Sequence, residues 1–442
     1  MAGGNFKIQN KLRPGAYINF KTKYKPTGIA GKRGVMTMPV MMSWGSEITI
    51  LTSEELLNGD SLSKIGYTVF DGEAQVFREA LKNCYKAIIY RLDTGGSKAT
   101  ATIGTLTITA KYAGKLGNEI AISVVANDSK FDVITTFKGL EKDRQTVLAV
   151  SDLVANDYVV FSGTANVIAN AGEKLTGGTD GTVNTENYAK YLKAIQSYNW
   201  NTMGIPQDSS SVNASIITFI KNLRENYGKK VQAVLYNVDA DYEGIISVNQ
   251  GYKTADEIIS PTTFVAYIAG LTAGASVDTS NTYHVINDAI NIIYPSGVAP
   301  YTEDEIEEML KKGKMILSTR RDGAIVIEQD INTLHTFTSN KGYEFSKNRV
   351  LRVLDEINNS IALIFEKNYI GKVSNDSNGR NVFKGEIINM LNNLQNISAI
   401  QNFDPSTDIF VRIGDNIDSV VVDLAIQPVD AMEKLYMTVL VG

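Results

Sequence analysis

Few residues in this sequence have side chains suited to catalysis, and their spacing does not assemble a site. Neither His284 nor His335 has a second histidine four residues away, as in a helical zinc motif. Composition leaves a Ser/His/Asp triad open, but no G-x-S-x-G motif is present. The single cysteine, Cys84, lies on the apolar face of a predicted helix with no histidine nearby. This setting favours a packed core thiol over a nucleophile.

Two segments imitate ligand-binding motifs. Residues 239–244 (DADYEG) resemble the first half of a calcium loop, but position twelve is Gln250 and the preceding element is a predicted strand. An acidic loop is therefore favoured. Residues 175–181 (LTGGTDG) are glycine-rich without the spacing of a P-loop, and we predict a flexible polar linker. We expect no metal, no cofactor and no catalysis, which favours an assembly subunit.

Length, composition and charge are typical of a globular protein of about three domains. The chain has 442 residues, of which 43% are hydrophobic and 21% charged, and its net charge is −5. The absence of a long basic block argues against nucleic acid as the main partner. No apolar run approaches ~18 residues and the start lacks the core of a signal peptide, so we expect no membrane span and folding in a cytoplasm. One cysteine excludes an intramolecular disulfide framework.

The elements that would position any site fall into α/β and α+β parts. Helical and strand patterns alternate over residues 23–97 and 182–329, which predicts an α/β layer domain. The signals include a capping box at Thr302–Glu305 and a hairpin turn at Asp322-Gly323. Between these two parts, residues 98–181 are rich in Thr, Val, Ile and Gly with short alternating runs, which predicts an inserted all-β domain.

The C-terminal part, residues 330–427, reads as an α+β domain with two long helices near 345–367 and 383–396. Three basic residues cluster at the start of the first helix. They are either a solvent-exposed helix edge or a surface that docks on an acidic partner. The three residues are Lys347, Arg349 and Arg352.

Both ends of the chain carry exposed strands. The pattern of residues 419–427 has a period of two, and Pro428 ends it because proline lacks an N–H. Residues 435–441 (LYMTVLV) are apolar on both faces and end the chain. An unpaired strand of this kind invites aggregation, so we predict that it pairs with another copy. The exchange candidates are Phe6, Ile8, Ala16, Ile18 and Phe20 in an N-terminal arm (1–22), Leu435, Met437, Val439 and Val441 in a C-terminal arm (428–442), and Val420, Val422, Leu424 and Ile426 in the strand before that arm. The hinge candidates are Arg13, Pro14, Gly15 and Pro428.

Several strings along the chain resemble the contractile tail sheath proteins, closest to those of Gram-positive myophages, defective prophages and R-type bacteriocins. The strings run in order over nearly the whole sequence. They are 13–20 (RPGAYINF), 114–120 (GKLGNEI), 175–181 (LTGGTDG), 241–248 (DYEGIISV), 269–275 (AGLTAGA), 330–334 (DINTL), 346–350 (SKNRV) and 428–436 (PVDAMEKLY).

This resemblance implies a homo-oligomer of six-fold rings stacked helically around a tail tube. The terminal arms would complete the C-terminal sheet of neighbouring subunits, and the sheath would contract to drive the tube through a bacterial envelope. Tail tube, baseplate and tail terminator proteins would be partners, and Lys347, Arg349 and Arg352 would face the tube. Assembly would occur in the host cytoplasm, with the phage tail or bacteriocin particle released by lysis. The competing interpretations are a nucleotide-dependent α/β enzyme and a monomeric carbohydrate-binding module.

Overall fold

A computed structural model describes residues 33–441 and the backbone of two N-terminal strands. These strands, β1 (Ala2–Gly4) and β2 (Gly15–Tyr17), pair in parallel.

The central body begins with strands that follow the apolar runs of the sequence. Their bounds are β3 (Val35–Val40), β4 (Ile48–Thr52) and β5 (Lys86–Arg91), with helices α1 (Ser53–Asn58), α2 (Ser61–Ile65) and α3 (Gln75–Leu81) between them. The sequence predicts one helix over residues 71–84 with Cys84 on its apolar face, but α3 spans only Gln75–Leu81, after a 3₁₀ turn at Gly72–Ala74. Cys84 lies beyond the end of α3 and is buried, as predicted for a core thiol.

Seven strands and no α-helix make up residues 98–174. They are β6 (Lys98–Ile103), β7 (Leu106–Ala113), β8 (Ile120–Asn127), β9 (Lys130–Phe137), β10 (Leu140–Val147), β11 (Val159–Ser162) and β12 (Asn170–Lys174). They form two antiparallel sheets, in the orders β11-β7-β6 and β10-β9-β8-β12. Trp44 from the central body enters their shared core and meets Tyr112 edge-on, with ring centroids 5.2 Å apart. The aromatic contact joins this β region to the body.

The segment predicted as a flexible linker, residues 175–181, is instead held by hydrogen bonds. Leu175 is buried in the β core. The amide of Thr176 donates to the carbonyl of Thr100 at 2.9 Å. The carboxylate of Asp180 accepts from Ser43 Oγ at 3.0 Å and from the Lys115 amide at 2.9 Å. Glycines here allow close backbone approach rather than mobility.

The chain then returns to the central body with alternating helices and strands. They are α4 (Thr185–Ile195), β13 (Thr202–Gly204), α5 (Ser210–Glu225), β14 (Gln232–Tyr236), β15 (Ile245–Val248), β16 (Gly251–Lys253), β17 (Ile258–Ile259), α6 (Pro261–Gly274), β18 (Asn291–Ile293), α7 (Glu303–Lys311), β19 (Lys314–Met315), β20 (Leu317–Thr319) and β21 (Ile325–Ile327). The capping box at Thr302 and the hairpin β20–β21 are confirmed.

A seven-stranded sheet is the centre of this body, in the order β19-β15-β14-β13-β3-β5-β4. All neighbours are parallel except β4, which runs antiparallel to β5. Helices α3 and α6 pack on one face and α4 and α5 on the other. Since both faces are covered, the strands are apolar on both sides, as Met38 and Ile89 on one face and Tyr90 on the other illustrate.

The C-terminal part packs two helices on two small sheets. The elements are α8 (Asn348–Asn368), α9 (Ser377–Asn396), β22 (Ile400–Gln401), β23 (Ile409–Ile413), β24 (Val420–Leu424) and β25 (Gln427–Pro428). Strand β23 pairs with β24 and β22 with β25, both antiparallel. The protein is thus a mixed α/β chain with several sheets. The small C-terminal sheets share no strand with the central one.

Candidate assembly interface

The hairpin β23–β24 presents one face to its own helices. Val420, Val422, Leu424 and Ile426 all pack against the core around α8 and α9, so the predicted alternation is confirmed. These four side chains serve the chain's own core and β24 pairs with β23, which corrects the expectation that they belong to a segment lent to another copy. The hairpin is part of the body that an arm could join.

The outer edges of this hairpin are open. Among residues 33–441 and the two short N-terminal strands, no third strand pairs with β23 or β24. Phe410 and Ile413 on β23 are large apolar side chains that stay exposed. An open edge offers a row of backbone donors and acceptors to an incoming strand.

The last residues of the chain leave the body as an extended segment. Residues 434–441, called the C-terminal arm from here on, form no helix or strand and pair with nothing in the part of the chain that is described. Leu440 is 92% exposed. Burying a large apolar side chain stabilises a protein by roughly 1.5–3 kcal/mol, and these exposed side chains do not gain that free energy in the separate subunit. The exposed apolar residues of the arm are Leu435, Tyr436, Met437, Val439, Leu440 and Val441.

The residues before the arm are tied to the body. Pro428, predicted as a hinge, lies in β25 opposite Ile400. The amide of Val429 donates to the carbonyl of Ala399 at 3.0 Å. The Glu433 carboxylate accepts from Thr282 Oγ1 at 2.8 Å and pairs with the ammonium of Lys347. We therefore place the start of any free segment after Glu433 rather than at Pro428.

The basic cluster is not the exposed edge that the sequence predicted. Lys347 and Arg352 are buried, and the Arg352 guanidinium pairs with the Asp330 carboxylate at 2.8 Å. Burial alone would lower the pKa of Lys347, but the hydrogen bond and charge of Glu433 outweigh it and raise the pKa. The tube-facing expectation is therefore wrong for Lys347 and Arg352, because each has an internal carboxylate partner. Arg349 alone keeps partial exposure.

Most of the N-terminal predictions lie outside the described residues. Gly15 and Ala16 fall in β2, for which only the backbone is described. The others, whose structure is not described, are Phe6, Ile8, Arg13, Pro14, Ile18 and Phe20.

The histidines and the acidic residues of the calcium-like segment do not come together in one site. Among residues 33–441 no group of three or more His, Cys, Asp or Glu side chains could hold a metal ion. The Asp241 carboxylate of the calcium-like segment instead accepts from the amides of His335 and Thr336, both at 2.9 Å. His284 Nε2 lies 3.2 Å from the hydroxyl of Tyr267. Within the described chain, the helices are too short or too polar to cross a membrane.

Three family models match the chain in succession. They are the phage tail sheath protein beta-sandwich domain over residues 94–180, the phage tail sheath protein central domain over 181–333 and the phage tail sheath C-terminal domain over 340–442. This chain belongs to the phage tail sheath protein family. The matches to the sheath models leave only the first 93 residues and a short stretch before residue 340 uncovered.

Individual relatives are similar to this sheath chain over nearly their full length. The sheath tail protein of Desulfitobacterium hafniense is 41% identical with a TM-score of 0.81, covering 96% of this chain and 99% of that one. The phage-like element PBSX protein XkdK of Bacillus subtilis is 34% identical over 99% of both chains. The anti-feeding prophage helical sheath in its contracted state shares the fold, at 12% identity, a TM-score of 0.57, and coverage of 97% and 98%. The chain is a phage tail sheath subunit.

Sequence analysis missed the partners that hold the root of the arm in this sheath subunit. Glu433 is the only acidic residue in the last ten positions, a weak signal that something fixes it. Thr282 gave no signal, because it lies 151 residues from Glu433 and only the fold brings the two together.

Proposed function

We propose that this sheath subunit assembles as six-fold rings stacked helically around a tail tube. The rings contract on a trigger and drive the tube through a bacterial envelope. Neighbouring subunits stay linked by exchanged terminal strands. The observation that supports this most is that one chain carries two complementary features. These are an apolar C-terminal arm exposed to solvent and a hairpin, β23–β24, whose open edges could accept a strand.

Strand exchange supplies a joint that can survive a large rearrangement. An arm of this length could form five to seven backbone hydrogen bonds at about 1 kcal/mol each, with apolar burial added. An exposed ion pair between subunits contributes only about 0–1 kcal/mol. During contraction the polar lateral contacts would break first, while the exchanged strands stay paired. This difference would let the rings widen and shift against one another during contraction without dissociating.

The test uses matched variants of one arm residue. Val439→Asp places a charge in a strand that must be buried on assembly, whereas Val439→Ile keeps an apolar β-branched side chain. We expect long tubes from the wild type and from Val439→Ile in negative-stain microscopy, and none from Val439→Asp. Because the arm does not pair with its own body, the melting temperature of the separated subunit should be the same for all three. Long tubes from Val439→Asp would reject strand exchange.

The N-terminal arm is tested in the same assay by deleting residues 1–20. Unimpaired long tubes after this deletion would count against exchange of the N-terminal strands. As domain bounds we propose residues 1–22 for this arm and 428–442 for the C-terminal segment, of which the C-terminal arm is the free part. Between them, the outer α/β domain would comprise 23–97 and 182–329, the inserted β domain 98–181 and the inner domain 330–427.

The tube contact that we retain is Arg349, the member of the basic cluster with partial exposure. Arg349→Glu should prevent sheath from loading on purified tubes at physiological salt, and Arg349→Lys should preserve loading because it keeps the charge. Normal loading of the Glu variant would reject the assignment. Tube, baseplate and tail terminator proteins are the proposed partners, in a particle assembled in the host cytoplasm and released by lysis.

Membership in a structural sheath family argues against a nucleotide-dependent enzyme and against a carbohydrate-binding module. A nucleotide that raised the melting temperature of the subunit would revive the first alternative. A chain that stayed monomeric in sedimentation under all assembly conditions would revive the second.

A further inference from the structure

A carboxylate on the C-terminal segment is held inside the body of the same subunit. The side chain of Glu433 is 10% exposed, and that of its partner Lys347 is 4% exposed. The second oxygen of Glu433 accepts from Thr282 Oγ1 at 2.8 Å. The Thr282 hydroxyl also accepts a hydrogen bond from the amide of Asp330 at 2.9 Å. The Glu433–Thr282 contact is therefore connected to the backbone where the central body meets the C-terminal part.

Lys347 depends on this partner. The nearby Asp330 carboxylate already accepts from Arg352 at 2.8 Å and from Asn348 at 3.0 Å. In the described part of the chain, Glu433 is the only carboxylate within ion-pair distance of Lys347. The ring of Tyr343 lies 5.5 Å from the ammonium and covers it on another side. Removing Glu433 would leave a buried cation without a direct ion-pair partner, which is strongly unfavourable.

The anchor divides the C-terminal segment into two parts. Residues 428–433 are fixed at both ends, by the β25 pairing and the Val429 amide at one end and by Glu433 at the other. Nine residues, 434–442, follow the anchor. In extended form they span about 30 Å at ~3.3 Å per residue.

We propose that Glu433 is a positioning residue, and that the Lys347–Glu433–Thr282 contact fixes where the C-terminal arm leaves the subunit. This inference rests on the proposed strand exchange. A fixed exit point sets the register in which the arm reaches a second copy. Register matters because a slip of one residue turns every side chain of a strand to the opposite face. The buried lysine thus acts in assembly without facing the tube.

The experiment measures the arm on separated subunits, at a concentration where they sediment as monomers. Spin labels are attached at Ser339→Cys and Met437→Cys, both exposed positions, while the buried Cys84 stays unlabelled. Electron paramagnetic resonance then gives the distribution of distances between the labels. We expect Glu433→Ala to widen this distribution at least twofold relative to the wild-type background. Lys347→Met, which keeps the bulk and removes the charge, should widen it similarly.

Glu344→Ala is the matched control, because Glu344 is exposed and lies three residues from Lys347. It should leave the distribution unchanged. The double variant Lys347→Met/Glu433→Ala should be no wider than either single variant, since both act on one contact. A wild-type distribution already as wide as that of Glu433→Ala, or a Glu433→Ala distribution as narrow as wild type, would overturn the inference.

A tube assay on the same proteins separates this inference from the proposed function. If Val439→Asp forms no long tubes but Glu433→Ala leaves the distances unchanged, the anchor is wrong and strand exchange stands. If the distances respond as expected but Val439→Asp still forms long tubes, strand exchange is wrong and the anchor stands. With both proposals correct, Glu433→Ala should shorten tubes severalfold, because arms then enter neighbours in mixed registers.

Discussion

The guanidinium of Arg224 donates two hydrogen bonds to the carboxylate of Asp355, at 2.7 and 2.8 Å. Both side chains are nearly fully buried, and they join α5 of the central body to α8 of the C-terminal part. Burial alone would lower the pKa of Arg224, but the charge and hydrogen bonds of Asp355 outweigh it and raise the pKa. The two parts of the subunit are therefore linked by a buried ion pair, and a single missing partner leaves an unpaired charge.

Arg224→Leu should lower the free energy of unfolding by about 3–5 kcal/mol, because it leaves the Asp355 carboxylate buried without a cation. The measurement is the midpoint of denaturant unfolding at unchanged slope. Arg144→Leu is the control, because Arg144 pairs with Asp132 and Glu141 on the exposed surface of the β region. It should hardly move the midpoint. Equal shifts for the two variants would contradict the role given to the buried pair.

Gly270→Ala should destabilise the subunit despite the higher helix propensity of alanine. A Cβ at Gly270 would lie 2.1 Å from the carbonyl oxygen of Ala80, so α6 could no longer approach α3. Overpacking of this kind costs about 1–3 kcal/mol. Gly385→Ala on α9 is the matched control, since a Cβ there meets nothing within 4 Å. It should gain about 0.5–1 kcal/mol in thermal or denaturant unfolding. If both variants changed the free energy of unfolding in the same direction, the contact between α6 and α3 would not explain the effect.

Glu356→Gln should stabilise the subunit at neutral pH. Burial on α8 raises the pKa of Glu356, although Arg33 and a hydrogen bond from Ser360 work against this. An acid with a raised pKa in the folded state binds protons more tightly there, so stability falls as pH rises from the ordinary value of about 4.3 through the raised pKa. The Gln variant should therefore be more stable than the wild type at pH values above the raised pKa of Glu356. This difference in unfolding free energy should vanish below about pH 4.3.

Unfolding curves at pH 4 and pH 7.5 check this prediction. Glu366→Gln, at an exposed position of the same helix, is the control. A Glu356→Gln variant that is less stable than wild type at pH 7.5 would mean that the Arg33 interaction outweighs burial.

Cys84 should not react with thiol reagents in the folded subunit at pH 8. Burial raises the pKa of its thiol to about 12, so little thiolate is present and the sulfur is inaccessible. Titration with a chromogenic disulfide should detect no thiol until denaturant is added. Met437→Cys, in the exposed arm, supplies the positive control and should react at once. Rapid reaction of the native wild type would contradict the burial of Cys84.

Much of the secondary structure was predictable because its signals are local. The capping box at Thr302 and the turn at Asp322-Gly323 each involve residues within a few positions of one another. The long helices α8 and α9 and the strand β24 followed from apolar periodicity, which depends only on which side of one element faces a core. The strand predicted over residues 435–441 has no partner among the described residues, since pairing is not a property of one segment.

The sequence by itself determined that both long helices and strand β24 exist, and that residues 435–441 are an apolar segment. Only the tertiary structure decided that Lys347 and Arg352 are internal, because their partners Glu433 and Asp330 lie 86 and 22 residues away. It likewise decided that residues 175–181 are held in place, through Asp180. A charge or a glycine acquires its role from the groups packed around it, and contacts between distant residues leave no periodicity in the sequence to reveal them.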